Sequence, residues 1–182
     1  MSPEGLSQED KYEKFFKGDK WILPTDIGLV GRIEQELLTK LTKDSLWTED
    51  EVEAFVYGIF GEALINAIAH GNLDVIKTKS DDEPIDVLCK KKQDTFPELT
   101  KKPININITI EREKIVVSIH DAGKGFDYET FLSDINDPTS SDRLMDKMGR
   151  GIASYIKLSE DEVGYSDGGT TVTLTKTKTT NS

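Results

Sequence analysis

Between residues 52 and 68 the apolar side chains Val52, Phe55, Val56, Ile59, Phe60, Ala63, Leu64, Ala67 and Ile68 recur in alternating steps of three and one. An α-helix gathers such positions into one wide stripe, so this chain must bury a long helix against a broad apolar partner. Thr48 and Glu51 stand at capping-box spacing just before it. The pattern predicts a helix over residues 49–70. Off the stripe, Glu62, Asn66 and His70 are spaced four apart, which sets an acid, an amide and an imidazole in a row on a second face. A helix of this kind packs on a sheet and turns its other side to a site.

The remaining patterns supply that sheet. Lys20 to Leu23 reads as a short strand stopped by Pro24. Thr25 and Asp26 offer N-cap oxygens to a helix whose Leu29, Ile33, Leu37 and Leu41 share one face. In PININITI, Ile104, Ile106, Ile108 and Ile110 alternate with Asn105, Asn107 and Thr109, the period of a half-buried strand. Residues 111–114 turn the chain into a return strand over 115–120. Val163 to Tyr165 and Thr171 to Lys176 read as a final strand pair about an SDGG turn, after a helical segment opened by Gly151. Residues 1–19 are polar apart from Phe15 and Phe16 and read as a tail. Residues 75–103 carry 13 charged residues among 29 and three prolines, and read as a solvated insertion with a short helical piece near Ile85 to Leu88. Residues 127–148 read as a long loop with one short helix, of the length that serves as a lid. The order predicts an α+β fold, a two-layer α/β sandwich with helices on one face of a mixed or antiparallel sheet, over residues 20–178.

With 182 residues the chain suits one domain, and its net charge of −11 disfavours phosphate backbones and anionic membranes, so neither nucleic acid nor membrane is an expected partner. A single cysteine, Cys89, excludes an intrachain disulfide, and two histidines leave little for a His-rich metal site. No stretch reads as a membrane span, and the N-terminus lacks the basic-then-apolar order of a signal peptide. The expectation is a cytoplasmic protein.

Three segments carry unusual residue choices. Glu62 and Asn66, one helical turn apart in GEALINAIAHGN, join a carboxylate able to take a proton to an amide oxygen suited to Mg²⁺; the same pair also fits a solvated helix face. DAGKGF, residues 121–126, sets Asp121 at a strand end, where it can accept from an exocyclic amine such as adenine's, with Gly123 and Gly125 permitting close approach. An ordinary glycine-rich turn has the same composition. GRGI, residues 149–152, places Gly149, Arg150 and Gly151 before a helix, as an anion cradle or as a lid hinge.

Together these motifs resemble the histidine kinase-like ATPase superfamily, the Bergerat or GHKL group. The match runs through its N box (Glu62, Asn66, His70), first glycine box (Asp121, Gly123, Gly125, with Phe126 following), the lid, second glycine box (Gly149, Gly151) and the Gly169–Thr170 step in GGTTVTLTK. Within it, AHGN, GRGIASYIKLSEDEVGY and GTTVTLTK are most similar to the anti-sigma factors of partner-switching systems that are also serine-protein kinases. The resemblance implies ATP and Mg²⁺ as cofactors. Asn66 would ligate the metal and Glu62 would act as catalytic base. His70, Asp121, Gly123, Gly125, Phe126, Gly149, Arg150, Gly151 and Thr170 would contact the nucleotide. It further implies a homodimer with two partners, a sigma factor, contacted near Arg32, and an anti-anti-sigma protein of STAS type that receives the phosphate. Two other readings fit the same motifs: a signalling domain acting on another partner, and a nucleotide-dependent binding module without kinase activity. The 75–103 insertion departs from the short turn of such relatives.

Overall fold

The computed structural model describes residues 12–43, 47–76, 82–136 and 162–178. Strand β1 (Lys20–Pro24) is followed by helices α1 (Val30–Lys43), α2 (Glu49–Asn72) and α3 (Ile85–Thr95). Strands β2 (Pro103–Ile110) and β3 (Lys114–His120) then lead to α4 (Tyr128–Asn136), and β4 (Glu162–Ser166) and β5 (Thr171–Thr177) close the sheet. The sheet order is β1-β2-β3-β5-β4 and every ladder is antiparallel, which removes the mixed alternative.

Register carries the alternation of each strand into continuous apolar rows. Trp21 faces Ile106, Ile106 faces Ile119 and Ile119 faces Val172; in a second row Ile108 faces Val117 and Val117 faces Leu174. All of these are buried beneath the helices. The nine stripe positions of α2 are buried without exception, as are Leu29, Ile33, Leu37 and Leu41 along α1 and the turn before it. The capping box forms, with the Thr48 N–H donating to Glu51 Oε2 at 2.7 Å. That bond first, and Lys178 second, hold the Glu51 carboxyl down to about 2.

Several details differ from the sequence reading. Phe16 of the expected tail packs edge-on against Trp21, with ring centroids 5.1 Å apart. Asp26 alone caps the turn before α1, accepting from the Gly28 N–H, while Thr25 is fully buried for another purpose. The charged insertion holds an eleven-residue helix, α3, and a 3₁₀ turn over Pro97–Lys101, with Cys89 and Gln93 buried. By length and composition α2 is apolar enough to cross a membrane, a measure the sequence reading did not meet; 67% of its most apolar window lies buried inside the fold. The helix opened by Gly151, the second glycine box and residues 137–148 of the lid lie outside the described residues.

Candidate functional site

The site forms where the last turns of α2 meet the exit of β3. Asp121 follows β3 directly, and its N–H donates to the Thr170 carbonyl at 3.0 Å, tying it to the start of β5. Asp121 as a residue is 8% exposed. Oδ1 accepts the Gly123 N–H at 2.8 Å, and Oδ2 has no donor among the described residues. Burial pushes the carboxyl above its ordinary range, offset by the Gly123 N–H, His120 and Lys102. This is a desolvated acceptor with one oxygen committed to the loop and one available.

Close packing around that carboxyl depends on missing side chains. A Cβ on Gly71 would lie 2.4 Å from Asp121 Cγ, and one on Gly123 would lie 2.4 Å from the Gly71 carbonyl oxygen. Helix α2 therefore presses its backbone onto the Asp121 loop, an approach only glycine permits. Gly125, at φ +69°, interlocks with the 167–170 turn: the Phe126 N–H donates to the Gly168 carbonyl at 3.0 Å. Thr170 donates its hydroxyl to the Asp167 carbonyl at 2.9 Å and keeps its lone pairs for a further donor. Phe126 packs edge-on against Phe131 and Tyr165.

One residue that the sequence reading passed over holds these parts together. Asn72 is wholly buried; its amide donates to Thr25 Oγ1 at 2.6 Å and to the Pro103 carbonyl at 3.1 Å, while its Oδ1 accepts the Ala122 N–H at 2.7 Å. Thr25 in turn donates to the Lys102 carbonyl, and Gln93 of α3 donates to the Thr25 carbonyl at 3.0 Å. The end of α2, the exit of β1, the entrance of β2 and the Asp121 loop are thus joined through one amide. An Asn just past an apolar helix reads as a C-cap, so its sequence position signalled an ending and not a junction.

The N box divides. Glu62 and Asn66 lie in the α-helical segment Gly61–Asn66, one turn apart and half-buried, and neither side chain has a hydrogen-bond partner among the described residues. A carboxylate and an amide oxygen left free on one face can take a proton and ligate a hard cation. His70 does not continue their row. Residues Ala67–Asn72 wind as a π-helix, whose wider turn breaks the four-residue alignment, and His70 is exposed with Nδ1 2.7 Å from the Val75 carbonyl. No cluster of three or more His, Cys, Asp or Glu able to hold a metal occurs among the described residues, so a cation here would keep several waters, as Mg²⁺ does. Gly149, Arg150 and Gly151 lie outside the described residues.

These residues fit an adenine nucleotide: a buried acceptor with one free oxygen, a cradle that a Cβ would fill, and an unpartnered acid–amide pair on the adjoining helix. The family model of the histidine kinase-like ATPase domain matches residues 24–176. No curated protein matches the chain.

Proposed function

Since the chain belongs to the histidine kinase-like ATPase domain family, we propose that it is an ATP-dependent serine/threonine protein kinase of the cytoplasm that also sequesters a sigma factor. The observation that carries the nucleotide part is the buried Asp121 carboxyl, held by Gly123 and pressed under Gly71 with Oδ2 free. In this reading Oδ2 accepts from the adenine amine, Thr170 assists with its free lone pairs, and Gly123, Gly125 and Phe126 shape the ring pocket. Asn66 holds Mg²⁺ by its amide oxygen, and the bound metal supplies charge neutralisation across the phosphates. Glu62, one turn away, takes the proton of an incoming Ser or Thr hydroxyl on a STAS-type antagonist. Gly149, Arg150 and Gly151 complete the phosphate cradle. His70 acts from outside, pinning the chain after α2 through Val75.

The sigma partner and the homodimer rest on likeness to the partner-switching regulators. Arg32, where those relatives would meet sigma, is engaged: it donates to Glu36 at 3.2 Å and lies over the Phe16 ring. The pair is a partly exposed i,i+4 contact that takes one of the guanidinium's N–H groups and leaves others for a partner. In the second reading the domain acts on another signalling partner through the same nucleotide site. Transfer from γ-labelled ATP to a candidate STAS protein, with co-purification of RNA polymerase subunits on the tagged chain from its host, tests the assignment. Transfer with sigma capture is the expected result. Transfer without sigma leaves the second reading, and neither, with ADP still bound, leaves a binding module.

A further inference from the structure

Behind the Asp121 loop lies a cavity of about 310 Å³ that shares the backbone of Gly71 and Gly123 with the nucleotide reading but none of its acid or amide side chains. Its far wall is the 75–103 insertion, through Lys92, Phe96 and Leu99; its near wall is the end of α2 and Ala122–Lys124. Neither Asp121, Asn66 nor Glu62 lines it. The Gly71 carbonyl, packed so closely on Gly123 that a Cβ would overlap it, forms the partition between cavity and carboxyl.

The wall is held in place. Cys89 is fully buried, and Gln93 spends its amide on the Thr25 carbonyl at 3.0 Å, so α3 is docked on the domain. Three lysines, Lys92, Lys102 and Lys124, and two acids, Asp74 and Glu98, line the cavity. Lys124 pairs with Asp74 at 3.2 Å. Lys102 Nζ donates only to the Asn72 carbonyl, at 3.0 Å, and Lys92 Nζ lies 5.1 Å from the centre of the Phe96 ring. Among the described residues neither Lys92 nor Lys102 forms a salt bridge, although Lys102 lies close enough to Asp121 to favour its charged form, and Glu98 is the one cavity acid left unpaired. In a chain of net charge −11, a cavity lined by three ammonium groups against two acids is an unusual local field. Phe96 is 43% exposed beside them, an aromatic surface that the chain itself leaves uncovered.

We propose that this cavity binds a small organic anion, an apolar body lying along Phe96 and Leu99 with a phosphate or carboxylate head toward Lys92 and Lys102. The site goes beyond the kinase reading and stands without it, because none of its ligands comes from the Asp121 carboxyl or the N-box face. Small-molecule sites of this size combine apolar walls with a few placed polar groups.

Titration of the ¹⁵N-labelled full chain with phenyl phosphate, without nucleotide, tests it. Saturable shifts are expected in the amides of residues 92–102 and 122–124. Inorganic phosphate, which lacks the ring, should bind about tenfold more weakly. Lys92→Met and Phe96→Ala, both at the surface, should each weaken phenyl phosphate by about threefold to tenfold and leave ADP affinity unchanged. No saturable shift, parental affinity in both variants, or equal affinity for inorganic phosphate would overturn the proposal. Full displacement of the probe by ADP would also overturn it, by placing the probe in the nucleotide site. If phenyl phosphate binds as expected while ADP does not bind at all, the nucleotide reading fails and this one stands.

Discussion

The two ends of the site along α2 are built on opposite terms. At the Asp121 end, Asn72 has hydrogen bonds on both sides of its amide, Gly71 and Gly123 touch backbone to carboxyl, and the 167–170 turn is bonded into the loop. At the Glu62 end, the carboxylate and the Asn66 amide stand half-buried with no partner among the described residues. Satisfied, buried polar groups make a rigid receptor, whereas groups left free can receive a metal and a hydroxyl that arrive from outside. The contrast teaches that recognition is pre-organised here and chemistry is left open.

The sharpest separation of the two ends comes from Glu62→Gln. It keeps the shape and removes the proton acceptor, so transfer to the antagonist should fall by about 10²–10⁴-fold. ADP binding should stay within about threefold of the parent, because the Asp121 end is untouched. A radiolabel transfer assay and a calorimetric titration on one preparation decide it, and transfer at the parental rate would make Glu62 a solvated helix residue.

Asn72→Ala attacks the rigid end. It strips a partner from the buried Thr25 hydroxyl and from the part-buried Pro103 carbonyl and Ala122 N–H, at a cost of about 1–3 kcal/mol of stability in urea unfolding. Asn72→Asp keeps the acceptor for Ala122 and loses the two donors, so it should retain more ADP affinity than the alanine variant. Equal loss of ADP binding in both would show that the junction serves stability alone.

Asp121→Asn has the smallest effect on the free protein and a clear one on its ligand. The amide still accepts from Gly123 but turns a donor toward the adenine amine, so ADP affinity should drop by about 10- to 100-fold. The stability effect has the opposite sign. Burial raises the folded pKa of Asp121 above 3.8, so the fold loses stability as pH climbs from 3.8 through that raised value, and the deficit persists at neutral pH. The variant carries no such charge. Its melting temperature should equal or exceed the parent's at neutral pH, with the gap closing below pH 3.8. A lower melting temperature at neutral pH would mean that Asp121 holds the loop together and is not strained by it.

Much of the frame was legible before any coordinates. The three-and-one steps of α2 name its buried positions, and the alternation of β2 names Ile104, Ile106 and Ile108 as buried with Ile110 half-buried at the strand end, because those periods are properties of backbone geometry. Asp121, Gly123 and Gly125 were visible as a loop after a strand, and the coordinates bring them together with Gly169 and Thr170. His70 leaves the row that an unbroken α-helix would give it with Glu62 and Asn66, because nothing local announces the π-helical winding of residues 67–72; its contact with the nucleotide remains what the resemblance implies. The charged insertion was misjudged because α3 has a weak stripe of its own, and its buried Cys89 and Gln93 are paid for by contacts elsewhere.

Local pattern therefore determined, to within a residue or two, which residues form α1, α2 and the five strands, which of their faces are apolar, and that a carboxyl precedes a glycine loop. The tertiary structure alone decided that Gly71 would press on that carboxyl, that Asn72 would join Thr25 and Ala122 across 47 and 50 residues, and that Gln93 would reach Thr25 across 68. Periodicity is set by neighbours one turn or one pleat away. A buried amide takes whichever donors and acceptors the folded sheet delivers to it, and those are specified only when the layers close.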